Sequence, residues 1–245
     1  MAILDFFDKE KRSAKKVETN IKKLINPYRQ TEERLQCAEA LAADGREEAI
    51  YGLLRRFTIR ASNQVVDEDE KTHVYNMVVD LDQAAVPSLR KFIQREDQLR
   101  YPLRALTEIV DSDAVVEHVG EALKAIGPDY IKNPEPKLHL VQHLDERRHE
   151  RAPVYLVPFL DDHDETIRFQ VIQALAAYDT DEVRAALWTR LLTDEEETLR
   201  TRTALCDVLV ALDGQHIVAE DQREAVQAAL PDGWVLDQQA RVKKP

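Results

Sequence analysis

The residues best equipped for chemistry in this chain are runs of acids and one spaced pair of histidines. Asp161-Asp162-His163-Asp164-Glu165 offers carboxylates and an imidazole, the donors a divalent ion takes. A helix-loop-helix calcium loop sets its acids at alternate positions about a central Gly and ends on a distal Glu, a spacing this run lacks. The run reads instead as the turn before a helix, with Asp164 capping that helix and Asp162 paired with Arg168. Asp67 to Glu70 and Asp194 to Glu197 read the same way, as solvated acids at a turn.

His139 and His143 lie four residues apart, on one face of a helix, as a zinc site requires. The metalloprotease version needs Glu after the first His, and Leu140 stands there. With no Cys nearby, the pair reads as two exposed histidines, and no metal or cofactor is expected. Six glycines in the whole chain could hardly supply a phosphate-cradling loop, which needs several positions without a Cβ. There is no Gly-x-Ser-x-Gly elbow and no Cys-x-x-Cys pair, so no catalytic residue is singled out. Cys37 and Cys206 sit among Ala and Leu, where a thiol serves as a small apolar side chain.

The elements that must carry these residues are helical. Of 245 residues, 44% are hydrophobic and 33% charged, the profile of an ordered, helix-rich chain. Apolar residues recur at three-and-four spacing, and the segments break at Asn26-Pro27, Asp44-Gly45, Ser62-Asn63, Gly127-Pro128, Asn133-Pro134 and Asp213-Gly214. About a dozen helices of ordinary length fit between such breaks. No strand is expected in the body; the tail from Gly233 onward could be extended.

The helices repeat. Arg34 to Leu41 has the layout of Arg168 to Leu175, and Lys71 to Val78 and Lys137 to Leu144 keep the same offset from a basic to an apolar residue. The basic positions 34, 71, 100, 137, 168 and 200 recur at roughly thirty to thirty-seven residues, the period of stacked helical hairpins. One hairpin cannot bury its apolar stripe alone, whereas a stack makes a continuous core from neighbour contacts.

Here the residues resemble a known family. Asp162-x-Asp164-x-x-Ile167-Arg168, closed by Ala174-Leu175, resembles the HEAT-repeat consensus, of the HEAT-like, bilin-lyase type found in bacterial proteins. Asp194-x-Glu196-x-x-Leu199-Arg200 matches less closely, and Glu96-x-x-Leu99-Arg100 less again, with Gln94 where the first Asp would stand. The resemblance implies an all-α fold, a right-handed α-solenoid of five to six hairpins, and a ladder of ion pairs joining Asp162 to Arg168 and Asp194 to Arg200. The expected organisation is a single domain over 1–245: a basic capping helix at 1–26, repeats over 30–215, and a C-terminal helix and tail over 216–245.

Charge narrows the partners. There are 34 basic and 46 acidic side chains, a net charge of -12, which repels nucleic acid. Residues 1–30 are the exception, with eight basic side chains against four acidic ones. Their helix is amphipathic: Ile3, Leu4, Phe6 and Phe7 open it, Val17, Ile21 and Leu24 continue the stripe, and Lys15 and Lys16 lie on the other side. Capping the open end of the stack is its expected role; docking Phe6, Phe7, Lys15 and Lys16 on an anionic membrane or a partner groove is the alternative. Trp234, in the turn after the last helix, is expected to be either a terminal cap or a docking anchor. No run approaches a membrane span and the opening is the reverse of a secretory signal, so a cytoplasmic protein is expected.

The function expected from these features is a non-catalytic scaffold whose acidic body receives another protein, basic where it binds. Solenoid-type enzymes such as the HEAT-like alkylpurine DNA glycosylases are the alternative, against which the net charge and the want of a Lys/Arg stripe both argue. A bilin-lyase-like or maturation role has no pigment or cofactor residues to mark it.

Overall fold

The computed structural model describes residues 2–193, 198–213 and 216–244, with side chains from Lys11 onward. Among them are thirteen α-helices and a two-stranded ribbon, so the chain is all-α. The chain divides into two compact units, 1–118 and 119–245.

Unit 1 holds α1 (Ala2–Leu24), α2 (Thr31–Asp44), α3 (Glu47–Leu54), α4 (Gln64–Asp80), α5 (Val86–Ile93) and α6 (Arg100–Ile109). They form hairpins in two layers: α1 packs on α3 and α3 on α5, while α2 packs on α4 and α4 on α6. The apolar stripes meet between the layers, where Leu41, Ile50, Leu53, Val74, Val78, Leu89 and Phe92 are fully buried. Asn63 starts α4, its Oδ1 accepting from Val65 N at 2.9 Å and Val66 N at 3.3 Å. Pro102 falls in the first turn of α6, where no intrahelical N–H is needed, so it does not kink the helix.

Unit 2 repeats the plan. The division falls inside α7 (Ser112–Ile126), which is followed by α8 (Glu135–Arg147), α9 (Ala152–Leu156), α10 (Glu165–Leu175), α11 (Asp181–Leu191), α12 (Leu199–Asp213) and α13 (Arg223–Ala229). Helices α8, α10 and α12 stack in one layer; α11 packs on α12 and on the 3-10 turn Val157–Asp161 that follows α9. Pro158 explains that turn, because a residue without an N–H cannot extend α9 as α-helix. Asp164 caps α10, accepting from Thr166 N at 2.8 Å and Ile167 N at 3.3 Å. The tail forms β1 (Val235–Leu236) and β2 (Val242–Lys243), antiparallel with Leu236 opposite Val242.

One close approach in unit 2 depends on a glycine. A Cβ built on Gly120 of α7 would lie 2.4 Å from the Tyr155 ring of α9, its Cγ included. Gly120→Ala is therefore expected to lose about 1–3 kcal/mol by overpacking, more than the ~1 kcal/mol that helix propensity returns. Urea unfolding monitored by circular dichroism checks this, and a more stable variant would contradict it.

Candidate functional site

The most unusual feature of unit 1 is a set of charges with almost no exposure. Arg34, Arg56, Asp67, Glu70 and Lys71 are each 8% exposed or less, although charged side chains rarely enter a core unless paired. Glu70 of α4 accepts from Arg34 of α2, Nε to Oε2 at 2.9 Å and Nη2 to Oε1 at 2.5 Å. Arg56, on the turn Arg55–Thr58 after α3, donates from Nε to the same Glu70 at 3.0 Å and from Nη2 to Asp67 at 2.7 Å. Asp67 also accepts from Ala61 N at 2.8 Å and from Lys71 Nζ at 2.6 Å. Burial by itself would push both carboxyls up. Charge-assisted hydrogen bonds, chiefly from Lys71 to Asp67 and from Arg34 to Glu70, outweigh it and hold both below the ordinary carboxylate range. The reading of Asp67 to Glu70 as solvated turn acids is thereby corrected: they lie in the first two turns of α4, with Asp67 and Glu70 facing the core.

A cavity of about 460 Å³ opens beside this network, between the starts of α4 and α6. Arg60, Asp67, Lys71, Gln98, Arg100 and Tyr101 line it. Its floor is firm, because Tyr101 stacks on Phe57 with centroids 5.1 Å apart and donates to Glu68 Oε2 at 2.7 Å.

Unit 2 has a smaller counterpart. Lys137, at the start of α8 and 1% exposed, donates to Asp162 Oδ2 at 2.6 Å and to the Asp129 carbonyl at 3.0 Å. Asp162 is equally buried; burial raises its carboxyl more than Lys137 lowers it. Arg168 donates to main-chain oxygens, Asp162 O at 2.8 Å and His163 O at 3.1 Å. The structure thus gives the Asp162 carboxylate to Lys137 of α8, the neighbouring helix of the layer, beside the arginine of α10 that bonds the main chain. A cavity of about 260 Å³ adjoins this pair, walled by Asp129, Tyr130, Asp162, Asp164 and Glu165. Tyr130 is 69% exposed and meets His163 edge-on at 5.2 Å.

The remaining sequence candidates are scattered. Arg200 lies over the Phe169 ring at 3.8 Å and 3.6 Å from Glu165; Asp194 lies outside the described residues. Lys15 and Lys16 are exposed on α1, while the side chains of Phe6 and Phe7 lie outside the described residues. Trp234 is buried, under Lys244 Nζ at 5.4 Å, which places it in the terminal packing rather than on a surface. His139 and His143 are half-buried rather than exposed, and burial, with Arg147 adding to it, pushes His143 down to about 4. Among the described residues no group of three or more His, Cys, Asp or Glu is placed to hold a metal ion, and no helix is long and apolar enough to cross a membrane. Arg56 is the functional-looking residue that sequence reasoning misses; it stands on an irregular turn, and nothing in its neighbours' types marks it as buried.

Residues 132–206, from the loop before α8 into α12, match the family of HEAT repeats. No curated protein matches the chain. Among solved structures, human deoxyhypusine hydroxylase in complex with glycerol is 17% identical, covers 90% of each chain and superposes with a TM-score of 0.29, a likeness that carries nothing about chemistry here. The matched span is one of HEAT repeats, and it falls within two-layered helical hairpins whose turn aspartate, Asp162, is clasped from α8.

Proposed function

We propose that the chain is a non-catalytic scaffold that receives a basic segment of a protein partner on the turn edge of unit 2. HEAT repeats supply a helical repeat scaffold, and this reading assigns it a face and a partner charge. The observation that carries the proposal is the wall of the smaller cavity. Lys137 neutralises Asp162 there and Arg200 stands 3.6 Å from Glu165, which leaves Asp129 and Asp164 as the acidic excess around an exposed Tyr130. Carboxylates beside an aromatic face suit a Lys or Arg side chain, which gains both charge complementarity and a cation–π contact. Unit 2 also holds most of the acidic excess, with 24 acidic against 15 basic side chains, compared with 22 against 19 in unit 1.

The test is affinity capture from native lysate with the wild type beside Tyr130→Ala/Glu165→Lys. The expected result is a protein recovered by the wild type, absent with the variant, and released when salt is raised enough to shorten the Debye length from about 10 Å towards about 3 Å. Equal recovery by both forms, or recovery indifferent to salt, would overturn the reading.

A further inference from the structure

The larger cavity lies in the other unit and calls for the opposite charge. Lys71 and Lys137 each lie on a second-layer helix seven residues ahead of a core apolar residue, Val78 or Leu144, Lys137 in the first turn of α8 and Lys71 two turns into α4. Lys137 has two protein acceptors, one of them the carboxylate of the following turn, Asp162. The turn that follows α5 holds Glu96 and Asp97, but neither lines the cavity. Gln94 stands where the repeat pattern has its Asp, Glu96 is turned to the Tyr51 hydroxyl at 2.8 Å, and Gln98 is what the turn offers to the cavity.

Two consequences are visible. Among the described residues the Lys71 ammonium, 8% exposed, has one acceptor, Asp67 Oδ2, for three donors. Arg60 has no hydrogen bond or ion pair among the described residues, and Arg100 only stacks beside Tyr101, its guanidinium 5.5 Å from the ring centre. The acids on hand do not cancel these charges. Asp67 is shared by Arg56 and Lys71, and Glu70 by Arg34 and Arg56. The cavity lining sets Arg60, Lys71 and Arg100 against Asp67 and Glu68, three cations to two carboxylates in a chain of net charge -12, and the network behind it adds Arg34 and Arg56 against Glu70. A buried donor without an acceptor is costly, and forked guanidiniums at a cavity rim match the oxygens of a carboxylate or phosphate.

We propose that this cavity is a binding site for a small oxyanion, a carboxylate or phosphate group of a compact ligand, which takes the place of the turn aspartate missing from this repeat. Lys71 meets the anion from the floor, and Arg60 and Arg100 close on it from the rim. The volume of about 460 Å³ exceeds what one carboxylate needs and falls in the range of small-molecule sites.

Calorimetric titration of the full chain at low salt, with citrate in one arm and inorganic phosphate in the other, tests the site. Saturable binding in either arm is expected, and the arm that binds more tightly tells whether carboxylate or phosphate is preferred. Lys71→Met is expected to weaken binding about tenfold or more, the loss of ~1.4 kcal/mol or more. Gln98→Glu supplies a carboxylate to the cavity from an exposed loop position, and it is expected to abolish binding while leaving the thermal midpoint unchanged or higher. Arg100→Gln, also at an exposed position, keeps the question answerable if the buried lysine variant fails to fold. Absence of binding in both arms, or equal binding by the wild type, Gln98→Glu and Arg100→Gln, would overturn the proposal.

Discussion

Glu70→Ala is expected to destabilise unit 1 by about 3–5 kcal/mol, because removing one member of a buried ion network leaves its partners charged and unpaired in the core. Arg34 would lose both of its carboxylate bonds, and Arg56 one of two. At roughly 2–4 °C per kcal/mol for a chain of this size, the midpoint falls by about 6–20 °C. Lys22→Ala, which breaks a pair whose side chains are 72% and 64% exposed, is the contrast and leaves the midpoint where it is. Equal midpoints for the two variants would show that the network does not hold unit 1 together. The same network sets an acid limit. Glu70 and Asp67 are held below their ordinary values of 4.5 and 3.8, so each contributes its full stability above those values and loses it as pH falls through the lower folded values. Acid unfolding of Glu70→Ala is accordingly expected to be the shallower of the two curves.

Lys137→Met carries the second large effect, with the opposite pH signature. Without the ammonium, Asp162 is a buried carboxylate that keeps the hydrogen bond from Asp164 N in the turn, and the loss is about 3–5 kcal/mol near neutral pH. Burial already raises the Asp162 carboxyl above its ordinary 3.8, and loss of the lysine raises it further. An acid whose folded value is raised binds its proton more tightly when folded, so stability falls as pH rises from the ordinary value through the raised one. The variant is therefore expected to come nearest the wild type at about pH 4 and to fall away towards neutrality. Lys137→Met/Asp162→Asn, which removes both charges and keeps an acceptor for Asp164 N, is expected to recover most of the loss. Denaturant melts across this range decide it; a deficit constant with pH would mean that Asp162 is not the group left exposed to the penalty.

The architecture was legible because it is written in local spacing. The basic residues 34, 71, 100, 137, 168 and 200 fall in α2, α4, α6, α8, α10 and α12, so their recurrence marks every second-layer helix. The tail expected to be extended from Gly233 does contain the ribbon of Val235–Leu236 and Val242–Lys243. The partners of the buried charges were not legible. Asp67 and Glu70 are three apart on a helix, and whether that face meets water or a neighbouring helix is decided by the packing of α4 against α2 and α6. Arg56 reaches them from a 3-10 turn eleven and fourteen residues away, a distance at which residue types carry no periodic signal. For Asp162 the near arginine in sequence was the natural partner, yet Lys137, twenty-five residues back, is the one whose ammonium arrives, because α8 and α10 lie side by side.

The two thiols fall one to each unit. Cys37 of α2 is 6% exposed and Cys206 of α12 is fully enclosed; burial raises both, Cys206 to about 12. A closed α12 thus offers a thiol reagent no anion to attack, and labelling waits on opening of the surrounding helices. Each half of the molecule thereby carries its own chemical clock, and mass spectrometry of the two labelled peptides can time the opening of one half without hearing the other.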